Sequence, residues 1–371
     1  MPGAYDIAIV GGGIAGATLA RELAGRAKVV ILEAEQLAGY HSTGRSAAIF
    51  IQNYGNTAIR ALSRASRSFF EAPPHEVAQQ PLFTPRGILF VAQPGDEPVL
   101  REIEAEADGL QQLTPEQAGD RVAILRRDKI AAAAYEADAS DIDVAGLHQG
   151  CLRAAKAAGA ELVTDAQVHD IAREGGQWRI AFGDSALEAK VVVNAAGAWA
   201  DGVARLAGLA PLGLIPLRRS AAILPPPRDC PVEAWPLVSD AAERYYFKPD
   251  AGRLMVSPAD ETPVDAHDAF VDDMVLAEGL YEFELATTYQ VQRVEHQWAG
   301  LRTFAPDRSL VIGYDPAAEG FFWLAGQGGY GIQTSPAAAR AAASLLMAEA
   351  FPAELAQHGL EAAALSPGRL R

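Results

Sequence analysis

The stretch Ile7-Ala8-Ile9-Val10-Gly11-Gly12-Gly13-Ile14-Ala15-Gly16, read on to Val29-Val30-Ile31-Leu32-Glu33, decides the fold. Ile7 to Val10 is a short apolar run that stops at three glycines. Ile14, Ala17, Leu19, Ala20 and Leu23 then recur at a spacing that buries one side of a helix, and the pattern ends near Gly25. A second apolar run, Val29 to Leu32, closes on Glu33. Strand, turn, helix and strand within about 30 residues form a βαβ unit with parallel strands. Gly11, Gly13 and Gly16 spell G-x-G-x-x-G between strand and helix. That turn lets the backbone approach a pyrophosphate closely, while the helix N-terminus supplies N–H donors and a favourable dipole. Glu33 stands 22 residues after Gly11, where a carboxylate accepts hydrogen bonds from ribose hydroxyls and repels a 2′-phosphate. A glycine turn that merely packed helix on strand would not require the acid.

Outward from this unit the chain alternates in style. Thr57 to Phe70, Glu97 to Asp108 and Asp143 to Ala158 read as helices, with Asp143 as a cap. Arg86 to Ala92, several segments between Ala160 and Asn194, Leu217 to Leu224 and Arg244 to Ser257 read as strands. Ser335-Pro336 reads as a helix start, a capping hydroxyl followed by proline in the first turn. No repeat or low-complexity linker divides the chain, so the reading is an α/β (α+β composite) protein. A Rossmann-like nucleotide domain (1–80, 141–212 and 298–371) is interleaved with a substrate domain (81–140 and 213–297) on a large mixed or antiparallel sheet.

The chain has 371 residues, half of them apolar and about a fifth charged, which excludes a disordered or disulfide-stapled protein. Its net charge of −16 repels phosphate backbones, so nucleic acid is not an expected partner. Cys151 and Cys230 lie far apart, and neither they nor the seven histidines show metal-ligand spacing, so no metal is expected. No apolar run approaches the roughly 20 residues that cross a bilayer, and no signal peptide is apparent. The expected location is the cytoplasm, with peripheral membrane contact only if the electron acceptor is membrane-bound.

Two features favour FAD over NAD. Val191 to Trp199 is a buried strand ending in the small residues Ala195, Ala196 and Gly197, as needed where backbone passes a cofactor. Gly326, Gly328, Gly329 and Gly331 precede the Ser335 helix, a loop able to bring N–H groups to a flavin pyrimidine.

Several long segments carry a resemblance. They are Gly39-Tyr40-His41-Ser42-Thr43-Gly44-Arg45-Ser46-Ala47-Ala48, Leu125-Arg126-Arg127-Asp128-Lys129, Trp298-Ala299-Gly300-Leu301-Arg302 and Gln327-Gly328-Gly329-Tyr330-Gly331-Ile332-Gln333-Thr334-Ser335. With these the chain resembles the D-amino-acid oxidase superfamily of FAD enzymes nearly end to end, and within it the bacterial D-arginine dehydrogenases. The resemblance implies non-covalent FAD held by Ala15, Glu33 with Ala34, and Ser42, Thr43, Gly44, Arg45, Ser46, Ala47 and Ala48. The same role falls to Val168, Ala196, Gly197, Trp199, Gly329, Tyr330, Gly331, Ile332 and Gln333. Covalent attachment is not expected, since neither cysteine lies in these segments. His41, in the cofactor loop, is read as a structural hydrogen bonder rather than a base.

An amino-acid substrate needs a carboxylate clamp, a path for the amine proton and its Cα–H aimed at flavin N5. Arginine suits the first because its planar fork binds both oxygens. The resemblance assigns this to Arg219 and Arg302, although a single arginine is more often a solvated surface charge, and Arg218 is an alternative to Arg219. Tyr246 corresponds to a tyrosine that hydrogen-bonds the carboxylate, with Tyr245 on the other side of the strand. Tyr54 corresponds to a mobile tyrosine over the substrate, Gly329 to a carbonyl that receives the amine, and Tyr330 to a pocket residue. Two departures from D-arginine dehydrogenase stand out: Ile88 where that enzyme binds the guanidinium with glutamate, and Ile49 where it has histidine. The implied activity is oxidative deamination of D-amino acids with apolar side chains to 2-oxo acids and ammonia, with a quinone or oxygen as acceptor. The alternative is oxidation of a secondary amine or imino acid of the sarcosine, glycine or D-proline type.

Overall fold

The computed structural model describes residues 4–228 and 230–371. Five parallel strands form the core of an eight-stranded sheet, in the order Glu161–Val163, Val29–Leu32, Tyr5–Val10, Ser185–Asn194 and Phe321–Ala325. Ile7 and Ile9 face one apolar core, while Ala8 and Val10 face another. A strand buried on both faces needs no polar alternation, and so this one reads as an unbroken apolar run. Helix Ile14–Leu23 lies between Val144–Ala157 and Gly331–Leu346 over the first face. Val168–Glu174 and Gln177–Phe182 extend the sheet as an antiparallel meander beside Ser185–Asn194.

A second sheet has nine strands and is antiparallel except where Leu237–Asp240 runs parallel to Ile88–Ala92. Its longest ladder pairs Ile215–Leu224 with His296–Phe304 in continuous register, from Ile215 opposite Phe304 to Ile223 opposite His296. A small sheet of Ile49–Phe50, Ser140–Ile142 and Phe83–Pro85 bridges the two. The first large sheet thus draws on residues 5–32, 161–194 and 311–325, the second on 88–136 and 215–304. Residue 298, where the sequence reading divides the domains, lies inside the strand His296–Phe304. Among the described residues no helix is long and apolar enough to cross a membrane.

Local chemistry sets the helix ends. Asn56 accepts from the Ile59 N–H to start Thr57–Glu71, and Asp143 accepts from the Gly146 N–H to start Val144–Ala157. The expected start at Ser335-Pro336 is wrong. The helix begins at Gly331, and Pro336 lies within it. Pro336 has no N–H for the Ile332 carbonyl, but the Ser335 hydroxyl donates to that oxygen at 2.9 Å and replaces the missing bond. The consequence is positional: the helix N-terminus falls on the glycine loop rather than four residues past it.

The glycine turn depends on close approach. Gly11 has φ +109°, and a Cβ there would lie 2.4 Å from the Ala195 carbonyl oxygen; one at Gly16 would lie 2.0 Å from the Gly11 oxygen. Both clashes are with backbone, which cannot swing aside. Gly202, in the helix Ala200–Leu206, has nothing within 4 Å of its notional Cβ. Gly16→Ala should therefore destabilise the protein by about 1–3 kcal/mol or more through overpacking, whereas Gly202→Ala should stabilise it by about 0.4–1 kcal/mol. Thermal unfolding of the two variants, followed by circular dichroism, checks the opposite signs.

Candidate active site

A cavity of about 390 Å³ lies between the two large sheets. Gly13, Ala15, Ser42, Thr43, Arg45, Ser46, Ala47, Ala48, Gly197, Gly331, Ile332 and Gln333 line it, together with Ile49, Tyr54, Ile88, Arg219, Tyr246, Arg302 and Gly329. Gly11, Gly16 and Gly44 do not line it and shape the turns behind it. Ala34 is exposed, Val168 and Ala196 are half-buried outside the cavity, and Trp199 packs its ring 4.6 Å from that of His41. Tyr330 corrects the sequence reading: its ring does not line the cavity but packs against Tyr54 at 5.0 Å and Phe304 at 5.8 Å, in the core beneath.

One wall is built for a dinucleotide. The N–H groups of Gly13 and Ala15, at the start of the first helix, have no acceptor among the described residues; neither do those of Gly331, Ile332 and Gln333 at the start of the other. Two helix N-termini with free donors line one cavity, an arrangement that suits a phosphate at one end and an electron-rich ring edge at the other. Glu33 is buried, and its carboxylate accepts from the Gly12 N–H at 2.8 Å and the Glu35 N–H at 2.9 Å. The acid thus braces the glycine turn as well, and a carboxylate with about four lone-pair sites keeps capacity for ribose hydroxyls. Thr43 accepts from the Ile14 N–H at 3.0 Å, and Ser42 donates to the Leu301 carbonyl at 2.7 Å, which ties the cofactor loop to the Arg302 strand. Arg45 bonds the carbonyls of Ala269 and Ala299 and the carboxylate of Asp268. His41 sits 2.8 Å from the Glu35 carboxylate, a structural bond. Neither cysteine lines the cavity.

The opposite wall carries the charge. Arg219 and Arg302 project from paired strands, Arg219 opposite Gly300 and Arg302 opposite Leu217, so the pleat sends both to one face. Arg219 is ion-paired to Glu261 at 3.1 Å, and Arg308 shares that carboxylate. Arg302 has no hydrogen bond or ion pair among the described residues, and its guanidinium lies against Gly329. Burial opposes its charge, but Tyr54, Tyr246 and Glu261 outweigh burial and hold it above the usual arginine value. Burial likewise pushes the Tyr246 phenol up, yet Arg302 and Arg219 outweigh that and leave it below the usual tyrosine value. Tyr245 is buried on the other side, among Phe247 and Phe283. Arg218, the alternative to Arg219, points away to Asp260 and Asp272 and does not line the cavity. Beyond the arginines Ile49, Ile51, Ile88, Phe90 and Leu237 form an apolar patch of the lining, which also includes the acids Glu106, Asp240 and Glu243.

Sequence reasoning missed three supports. His148 is buried with Nε2 2.8 Å from the Gly12 carbonyl, and burial lowers its pKa. Gln333, read only as a cofactor contact, accepts from the Ile51 N–H and donates to the Ile51 carbonyl and Ser63 hydroxyl. Glu136 is buried beneath the loop that bears Tyr54. Nothing in the local patterns around His148 or Glu136 marks them, because their partners lie 136 and 84 residues away.

The sequence and the fold have counterparts among known proteins. Glycine oxidase of Geobacillus kaustophilus is 26% identical over 354 residues, covering 90% of this chain and 90% of that protein. Its crystal structure superposes with a TM-score of 0.82 over 94% of this chain and 96% of the other, at 24% identity. FAD-dependent oxidoreductase domain-containing protein 1 of Xenopus laevis is 25% identical over 407 residues, 94% of this chain and 80% of that protein. L-proline dehydrogenase from P. horikoshii shares the fold at a TM-score of 0.84, with 22% identity, 100% coverage of this chain and 98% of the other. The model of the DAO family, described as FAD dependent oxidoreductase, matches residues 6–345, and with that span of agreement the chain belongs to the DAO family of FAD-dependent oxidoreductases.

Proposed function

We propose that the protein oxidises D-amino acids with apolar side chains at Cα, yielding an imine that hydrolyses to a 2-oxo acid and ammonia. The observation that carries this reading is the Arg302 guanidinium, which lines the cavity without an anionic partner of its own among the described residues. A partly buried cation left unpaired is costly, and a substrate carboxylate offers the planar, two-oxygen partner that the fork fits. Arg219, already neutralised by Glu261, adds field and shape rather than a second free charge. Tyr246 donates its hydroxyl to the same carboxylate, and the Gly329 carbonyl accepts from the amine. When bound, FAD supplies the two-electron acceptor for the hydrogen leaving Cα. The protein's own share is orientation: once the amine has lost its proton, its lone pair drives the departure, so a strong protein base is not required.

Ile49 and Ile88 set the side-chain preference. The first lies in the bridging sheet and the second opens a strand of the substrate sheet, and both line the cavity beside Phe90 and Leu237. This wall departs from the D-arginine dehydrogenase pattern of glutamate and histidine at these two places, and a guanidinium set against the two isoleucines would cost several kcal/mol. The second reading, oxidation of glycine, sarcosine or D-proline, draws support from the similarity to glycine oxidase. The room bounded by Ile49, Ile51 and Ile88 favours a substrate with a side chain.

Anaerobic bleaching of the yellow flavin decides between them. D-Leu, D-Met or D-Phe should reduce it with kcat/KM at least about tenfold above D-Arg, sarcosine and L-Leu, since 1.4 kcal/mol separates each decade. A lead for sarcosine or glycine would transfer the assignment to the second reading, and a lead for D-Arg would overturn the apolar pocket. Admission of oxygen afterwards separates an oxidase from an enzyme that uses a quinone. Arg302→Ala should lower kcat/KM by about 10²–10³-fold, the loss of a charge-assisted pair of about 3–4 kcal/mol, with Arg302→Lys intermediate. Steady-state kinetics on the best substrate measures this. Because two guanidinium groups lower the Tyr246 pKa, its hydroxyl donor is lost at a pH below the ordinary value of about 10. Binding of the carboxylate should weaken as pH rises through that point, and Tyr246→Phe should abolish this alkaline limb of the kcat/KM profile.

A further inference from the structure

The loop Ile51–Gly55 brings Tyr54 to the cavity wall; the Tyr54 N–H donates to the Ile51 carbonyl at 3.3 Å, while its hydroxyl makes no hydrogen bond among the described residues. What fixes the loop is its neighbours. The Gln52 N–H donates to Oε1 of Glu136 at 3.2 Å, and the Asn53 amide nitrogen donates to Oε2 at 3.0 Å. Asn53 then closes a reciprocal pair with Asp108: its Nδ2 donates to the Asp108 carbonyl at 2.9 Å, and its Oδ1 accepts from the Asp108 N–H at 3.0 Å. Asp108 follows the helix Glu97–Glu106, whose last turn also borders the cavity. Arg60 adds a strap on the other side, donating to the Gly55 carbonyl at 2.8 Å and pairing with Glu106 at 2.6 Å.

Glu136 is only 3% exposed and sits across the ladder from Ile88. A buried carboxylate with no arginine or lysine ion pair among the described residues is retained against a desolvation cost, which calls for a use. Asn53 is equally constrained. Its amide cannot flip, because a reversed group would set oxygen against both the Glu136 carboxylate and the Asp108 carbonyl.

We infer that Glu136 and Asn53 form a clasp that latches the Tyr54 loop onto the helix end at Asp108, and so hold the cover of the substrate cavity closed. Glu136 does not line the cavity and is a positioning residue acting through the loop, whereas Asn53 also borders the cavity itself. The assignment of a substrate to the cavity rests on the function proposed above; the clasp itself does not.

The test uses the flavin-loaded protein and a swap of hydrogen-bond polarity. Asn53→Asp places a carboxylate against Glu136 and the Asp108 carbonyl, so the latch should open. Glu136→Gln in the same chain restores a donor facing that new carboxylate but leaves it against the Asp108 carbonyl, so the double variant should relatch in part. Amide hydrogen exchange should quicken about tenfold at Gln52 and Asp108 in Asn53→Asp, the equivalent of one hydrogen bond, and fall back to about threefold above the parent in the double variant. Rapid-reaction flavin reduction should show the same pattern in the substrate half-saturation, with the limiting reduction rate changed by less than about threefold. Unchanged exchange in Asn53→Asp, or a double variant looser than Asn53→Asp, overturns the clasp. Faster exchange with unaltered half-saturation overturns its role as the latch of the cover. Failure of every amino acid to bleach the parent flavin would instead sink the functional proposal and leave the exchange result to judge the clasp.

Discussion

The contact between the Gly16 Cα and the Gly11 carbonyl, with Gly11 in turn against Ala195, is the constraint on which the rest depends. It lets the first helix meet the sheet at a spacing no side chain allows, and so brings the helix N-terminus to the cavity. Around that contact the structure gathers specific polar braces: Glu33 and His148 on Gly12, and Thr43 on Ile14. A turn that must stay open to a phosphate cannot be filled by packing, so it is held from outside by hydrogen bonds.

The second constraint is electrostatic. The protein as a whole is strongly acidic, yet the cavity concentrates Arg219 and Arg302 on one face. Glu261 neutralises the first and leaves the second as the charge a ligand must meet. A carboxylate brought to this wall meets a local positive field inside a protein whose net charge is negative. The coupling outweighs burial and holds the Tyr246 hydroxyl below the usual tyrosine value.

Much of this was legible in the sequence because it is local. The glycine turn, Glu33, the strand-then-small-residue pattern at Val191 to Gly197 and the helix cap Asp143 all announce themselves within a few residues. Arg302 and Tyr246 were readable only through long resembling segments, since no spacing links an arginine to a tyrosine 56 positions away. The start of the helix Gly331–Leu346 differs from the reading because Ser-Pro is a strong local signal, and here the Ser335 side chain repairs the helix instead of beginning it. Tyr330 was misplaced for a related reason: its neighbours Gly329 and Gly331 line the cavity, but at the helix N-cap its side chain turns into the core. Glu136 and His148 were invisible, being buried polar groups whose partners only tertiary folding supplies.

The strand order has a temporal consequence. The first large sheet takes its outermost parallel strand from Phe321–Ala325, and the second cradle helix runs from Gly331 to Leu346. Ile51 therefore waits, during synthesis, for its partner Gln333, 282 residues downstream. At about 5–20 residues per second that delay is tens of seconds. The nascent N-terminal βαβ unit spends it with one edge of its sheet open, so capture of the flavin belongs to the finished polypeptide rather than to the emerging one.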